Sequence, residues 1–209
     1  MAFKRMSKEY NRVVGLDLST NAIAYSLFVD GKLTEWGRWE LKGDTDIRLK
    51  QASRVARNLG LRLKPDKLVY EAAAYVNNRK TVITLAMFYG AIVSSIALDH
   101  TVIKSVPAIT WQNAIGNKSL TKAEKAHLRI MTPDKSAVWY KNKEREVRKQ
   151  RTIQWVEKHH GVVLTDDDVA DAIAQGAGRY DAILLDVDNG PDGLVRDEND
   201  RIYSRAGLI

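Results

Sequence analysis

Asp30-Gly31 separates two short runs of strand-forming residues, Asn21 to Val29 and Lys32 to Trp39, and this pattern demands a tight β-hairpin. A third valine-rich run, Arg12 to Leu18, precedes them, so the chain is expected to open with three antiparallel strands. Thr45 to Leu63 then changes period: Ile47, Leu49, Ala52, Val55, Ala56 and Leu59 recur at helical spacing, and Pro65 supplies the stop. Lys67 to Ala72 is expected as a buried strand, Arg79 to Leu98 as a long helix with a small-residue apolar face, and Thr101 to Val106 as a strand ending at Pro107. The order βββαβαβ implies an α/β fold: a mixed sheet, three antiparallel strands followed by parallel ones, with helices on both faces.

Beyond Pro107 the pattern predicts a short helix around Trp111, a basic stretch broken at Pro133, and a helix from about Lys143 to His159 that stops at Gly161. A last helix runs from Asp168 to Leu185, capped by Thr165 or one of the aspartates that follow it. The remainder from Asp186 is acidic, turn-rich and aperiodic, as expected of a mobile tail. The expected organisation is one domain over residues 1–185, with a basic arm at about 117–151, and a tail at 186–209.

Apolar residues make up 44% of the chain, yet no stretch approaches the roughly 18 consecutive apolar residues of a membrane span, so a soluble protein is expected. Met1 to Arg12 is polar and basic and lacks the apolar core of a secretory signal. With no cysteine and only four histidines, any metal must rest on carboxylates, which select magnesium or manganese. Asn117 to Arg151 holds eleven Lys/Arg against four acids, an excess equal to the chain's net charge of +7. Such a stripe is the footprint of a polyanion binder, or else a solvated helical face.

Four acids stand out. Asp17 lies at the end of the first strand, Glu71 at the end of the fourth, and Asp168 and Asp171 lie three apart on one helix face. Glu71 sits in an apolar context (LVYEAAAYV) where an unpaired carboxylate costs several kcal/mol, and Asp171 is flanked by small and apolar residues. None has a Lys or Arg neighbour in sequence; gathered together they would repel one another unless divalent metal neutralised them. That is the donor set of a two-metal phosphodiester hydrolase.

Gly15-Leu16-Asp17-Leu18-Ser19, the stretch of Glu71 with Tyr75, Asn77, Asn78, Leu85 and Gly90, and Asp168-Val-Ala-Asp171-Ala-Ile-Ala together resemble the motifs of the RuvC-type Holliday-junction resolvases, within the ribonuclease-H-like superfamily. The resemblance implies a crossover-junction endodeoxyribonuclease in which Asp17, Glu71, Asp168 and Asp171 hold two Mg²⁺ or Mn²⁺ ions. It implies four-way junction DNA as partner, contacts from Tyr75, Asn78 and Arg79, and a homodimer joined through the helix Arg79 to Leu98. It also implies a cytoplasmic protein of a bacterial cell or phage-infected host, with no membrane partner. Val106 to Lys125 resembles the family's lysine-bearing region, but Gln112 replaces the first lysine and the spacing after Gly116 is longer. Lys118, Lys122 and Lys125 are therefore alternative candidates for the scissile phosphate.

About Thr132 to Gln150 is additional to the compact family core and suggests a DNA-binding arm through Lys141, Lys143 and Arg145. Its Trp139 and Tyr140 either stack on unpaired bases or pin the arm to the core. Three rival readings stand beside this one, of which a binding module that has lost its activity is opposed by the presence of all four acids. An ATP-binding protein of the actin and sugar-kinase class shares a motif like Asp17-Leu-Ser-Thr20 but needs two such domains and a second glycine-rich loop. A ribonuclease-H-like nuclease for flaps, branched DNA or structured RNA keeps the fold and changes the substrate.

Overall fold

The structure is a computed structural model, and residues 10–73 and 78–178 are described. A hairpin, β1 (Arg12–Leu18) and β2 (Ala22–Val29), continues through the Asp30-Gly31 turn into β3 (Lys32–Glu40). Both turn residues have positive φ, 50° and 77°, the conformation for which the Asp-Gly pair is suited. Helix α1 (Thr45–Leu63) leads to β4 (Lys67–Glu71), and α2 (Arg79–Ile96) leads to β5 (Val102–Val106). The sheet order is β3-β2-β1-β4-β5, with β1–β2 and β2–β3 antiparallel and β1–β4 and β4–β5 parallel. The remaining helices are α3 (Ala108–Ala114), α4 (Lys122–Met131), α5 (Ala137–His160) and α6 (Asp167–Ala177).

Strand alternation divides the apolar side chains between two layers. Val14, Leu16 and Leu18 of β1 point to the face covered by α1 and α2, where they join Ile23, Tyr25, Leu59, Phe88 and Ile92. Ala24 and Phe28 of β2 point the other way, against Ile153 and Val156 of α5 and Val169 and Ile173 of α6. Helices on both faces explain why β2, AIAYSLFV, is apolar almost throughout.

Gly15 lies on that second face, where α6 comes close. A Cβ there would stand 2.1 Å from the Ala172 carbonyl oxygen and 2.6 Å from the Gly176 nitrogen, which are backbone atoms that cannot swing aside. Gly15→Ala is expected to push α6 off the sheet and cost about 3 kcal/mol in a urea unfolding curve. An unchanged midpoint would contradict the close packing.

The expected strands and the first two helices are present within about two residues. Two parts of the second half differ from expectation. The basic stretch contains α4, closed at its N-terminus by a reciprocal Thr121–Glu124 capping box, and α5 begins at Ala137 rather than near Lys143, with Ser136 accepting from the Trp139 amide at 3.2 Å. Helix α6 is capped by Asp166, whose side chain accepts from the Val169 amide at 3.1 Å. The expected tail, the chain beyond Gly178 and Tyr75 lie outside the described residues. Among the described residues no helix is long and apolar enough to cross a membrane.

Candidate active site

Asp17 follows Gly15 by two residues and therefore shares its face, pointed at α6. Glu71 is two residues beyond Val69, which pairs with Gly15 across the parallel β1–β4 ladder; one step past the last pair, Leu16–Tyr70, the register brings Asp17 beside Glu71. Helix α6 starts over these two strand ends, and its first turns carry Asp167, Asp168 and Asp171. Two strands and one helix thus deliver acids to a single rim at the C-terminal edge of the central parallel pair.

The electrostatics reflect the gathering. Burial raises the Asp17 carboxyl well above the usual aspartate range, and Asp171, Asp168, Glu71 and Asp167 each raise it further. Asp171 is pushed up to about 7, first by burial and then by Glu71 and Asp167, against lowering by Thr152 and Lys149. Glu71 is raised by burial, opposed by a hydrogen bond from Trp111 and by the charge of Arg148. On α2, burial followed by the charges of Asp17 and Glu71 raises the Tyr89 phenol; its hydroxyl donates to the Leu18 carbonyl at 3.0 Å.

Cationic companions that these acids lack in sequence are supplied in space. Arg38 of β3 donates from Nε to Asp168 Oδ2 at 3.2 Å, Lys149 of α5 pairs with Asp167, and Arg148 donates to Gln112 Oε1 while its charge acts on Glu71. Trp111, almost wholly buried in α3, donates from Nε1 to Glu71 Oε2 at 2.8 Å. These contacts are long in sequence, which is why local inspection misses them. In sequence, Arg148 and Lys149 are visible only as members of the basic stripe. The signal that isolates them is the buried Thr152, Ile153 and Val156 further along α5: that face packs inward and carries the preceding turn to the acids.

Of the other expected contact residues, Asn78 caps α2 by accepting from the Thr81 amide at 3.2 Å, and Arg79 is exposed in its first turn. Lys118 and Lys122 are exposed and carry no ion pair among the described residues, whereas Lys125 is tied to Glu144 at 2.8 Å and Lys143 to Glu146 at 2.9 Å. Lys141 and Arg145 are exposed and unpaired among the described residues. Trp139 and Tyr140 meet edge to face, and the Tyr140 hydroxyl donates to the Thr132 carbonyl at 2.6 Å, which gives the pair a bracing role at the turn between α4 and α5.

Among the described residues no three acidic or histidine side chains are drawn in closely enough to enclose one ion. The donor set nonetheless suits a hard divalent cation, being made of carboxylate oxygens only, and Asp171 Oδ1 is buried without a hydrogen-bond partner. A cation there would answer both the unpartnered oxygen and the mutual repulsion of the acids.

No family model matches the chain, and no curated protein matches it in sequence. Among solved structures it is similar to RuvC of T. thermophilus in complex with Holliday junction substrate, at 11% identity and a TM-score of 0.57 over 79% of this chain and 90% of that one. A second Thermus thermophilus RuvC structure matches with the same identity and TM-score over 79% and 91%. The yeast mitochondrial Holliday junction resolvase Ydc2 is 14% identical, with a TM-score of 0.46 over 86% of this chain and 82% of that one. The fold is that of the RuvC-type resolvases.

Proposed function

We propose that this chain is a metal-dependent, structure-selective endodeoxyribonuclease that hydrolyses phosphodiester bonds in four-way DNA junctions. The observation that carries this reading is the convergence of Asp17, Glu71, Asp168 and Asp171 on one rim of a RuvC-type sheet, with Asp17 and Asp171 held in a strongly negative, buried setting. Those four residues would hold two Mg²⁺ or Mn²⁺ ions, which when bound supply an activated water and a counter-charge for the leaving oxygen.

The chain's own groups prepare the site. Trp111 fixes the Glu71 carboxylate through its indole N–H and walls off one side of it with a buried ring. Arg38 orients Asp168. Gln112 stands where the resembled family has a lysine, and Arg148 reaches it from α5, so the cation is restored from another element. Lys149, beside Asp167, is the ammonium best placed among the described lysines to meet a phosphate brought to the acids, ahead of Lys118, Lys122 and Lys125.

Paired incisions in a junction need two sites related by a twofold axis, and α2 supports a homodimer: Ile83, Met87 and Gly90 lie exposed at i, i+4 and i+7, and nothing stands within 4 Å of a Cβ built at Gly90. The arm at about 117–151 contributes DNA contacts, with Lys118, Lys122, Lys141 and Arg145 among the cations that carry no ion pair among the described residues, and Asn78 and Arg79 lie at the start of α2.

The test is cleavage of a synthetic four-way junction beside a matched duplex, a flap and a structured RNA, with Mg²⁺, with Mn²⁺ and with EDTA. Symmetric paired nicks in the junction that vanish with EDTA are expected. Cutting confined to flaps or RNA would keep the fold and move the substrate; no metal-dependent cutting of any of the four would overturn the assignment of the acids.

A further inference from the structure

The arm ends in a turn whose composition the catalytic site does not use. Helices α4 and α5 meet through residues 132–136, where Asp134 takes a positive φ of 62°. Tyr140 locks the turn through Thr132 and packs on Trp139; the Arg129 guanidinium lies over the Tyr140 ring and the Lys135 ammonium over Trp139. With both aromatics committed to bracing, the tip still presents Ile130, Met131 and Val138, which are 75%, 65% and 69% exposed. Helix α4 buries none of its residues, so these side chains are not the edge of a core.

The charges around them are unbalanced. Glu144 and Glu146 are neutralised by Lys125 and Lys143, while Arg129, Lys135, Lys141 and Arg145 carry no ion pair among the described residues and face only Asp134 as an uncompensated acid. An apolar point ringed by cations matches nucleic acid whose bases are opened and whose phosphates flank the opening. Position along α5 favours the same ligand. Val138 and Lys149 belong to one helix, and eleven residues of helical rise separate them by about 16 Å, or roughly five nucleotide steps along a strand.

We propose that the α4–α5 tip is a branch-point wedge: Ile130, Met131 and Val138 enter among unstacked bases of branched DNA while Arg129, Lys135, Lys141 and Arg145 hold the adjoining phosphates. This deepens the junction-nuclease reading and rests on it. It assigns the base contact to the aliphatic tip and not to Trp139 and Tyr140, which are occupied within the turn.

The experiment places 2-aminopurine at successive positions near the branch point of a four-way junction, with Ca²⁺ replacing Mg²⁺ to hold the substrate intact. The wild-type chain is expected to raise fluorescence at one or more of these positions. The triple variant Ile130→Ser/Met131→Ser/Val138→Ser, altered only at exposed positions and checked for an unchanged melting temperature, is expected to lose that rise. It should also bind the junction roughly tenfold more weakly than wild type, with duplex binding unchanged. Equal fluorescence and affinity for the two proteins overturn the wedge, as does loss of binding to anionic phosphatidylserine vesicles with junction behaviour intact, which would make the tip a membrane contact. If the wild type cuts and prefers the junction yet no base unstacks, the wedge fails and the nuclease reading survives. If the wild type neither cuts nor prefers it, both fail together.

Discussion

Asp17→Asn is expected to bind a four-way junction within about threefold of wild type and to cut it about three orders of magnitude more slowly, the scale on which metal-assisted charge stabilisation contributes several kcal/mol. Asp17 is the hub of the acid cluster: four other acids act on it, more than on any neighbour whose environment is resolved, and it lies on the strand that packs directly under α6. The amide fills the same volume and keeps hydrogen-bonding capacity, but it lacks the charge that would hold a divalent ion. The same substitution relieves repulsion, so the metal-free variant should be more stable than wild type by about 1 kcal/mol or more, the usual direction when a functional acid is neutralised. Single-turnover cleavage with gel-shift binding checks the first part, and thermal melting in EDTA the second. Near wild-type cutting by the variant would remove Asp17 from the site.

Strand period made most of this site legible. The spacing Gly15-x-Asp17 by itself places both residues on one face of β1, and the apolar context of Glu71 marks it as a carboxylate in need of a partner. The Asp168–Asp171 interval on a helix completes the set. Helix α4 was also within reach, since Thr121-Lys-Ala-Glu124 is a capping-box signature, but the surrounding density of charge reads more readily as a polyanion surface than as a helix start.

What remained hidden depended on tertiary contacts. Arg38 meets Asp168 only because β3 forms the sheet edge on the side where α6 starts, and Trp111 meets Glu71 only because α3 folds back after β5. Lys149 illustrates the difficulty best. Eleven cations in one stretch look alike by composition, and Lys125 and Lys143 are spent on Glu144 and Glu146. The choice among them is made by which face of α5 is buried, and that is decided by Ile153 and Val156 against α6, a helix that contributes the acids themselves. Cation and acids are therefore brought together by the same packing interface.

That gathering has a cost which pH and metal should expose. In EDTA the wild-type chain is expected to lose roughly 3 kcal/mol of stability between pH 5 and pH 8, about 10 °C in melting temperature. Asp171 has a folded pKa of about 7, against about 3.9 for an unperturbed aspartate, and Asp17 is raised in the same direction. The folded state keeps protons that the unfolded chain has released, so this stability is fully present below the unfolded pKa and is lost as pH rises through the folded one. His160 works the other way. Burial and His159 lower its pKa, so its penalty lies at low pH and fades once the pH passes the ordinary histidine range, which partly masks the fall near pH 6. Asp171→Asn should remove the part of the slope that Asp171 carries, because the amide has no proton to lose, and lessen the part carried by Asp17, whose carboxyl Asp171 also raises. Magnesium should restore wild-type stability at pH 8, where the acids are ionised, and have little effect at pH 5, where protons occupy the oxygens that a cation needs. A wild-type melting temperature that is flat from pH 5 to pH 8 in EDTA, or a magnesium effect equal at both ends, would mean that Asp17 and Asp171 do not share the buried negative field that defines the site.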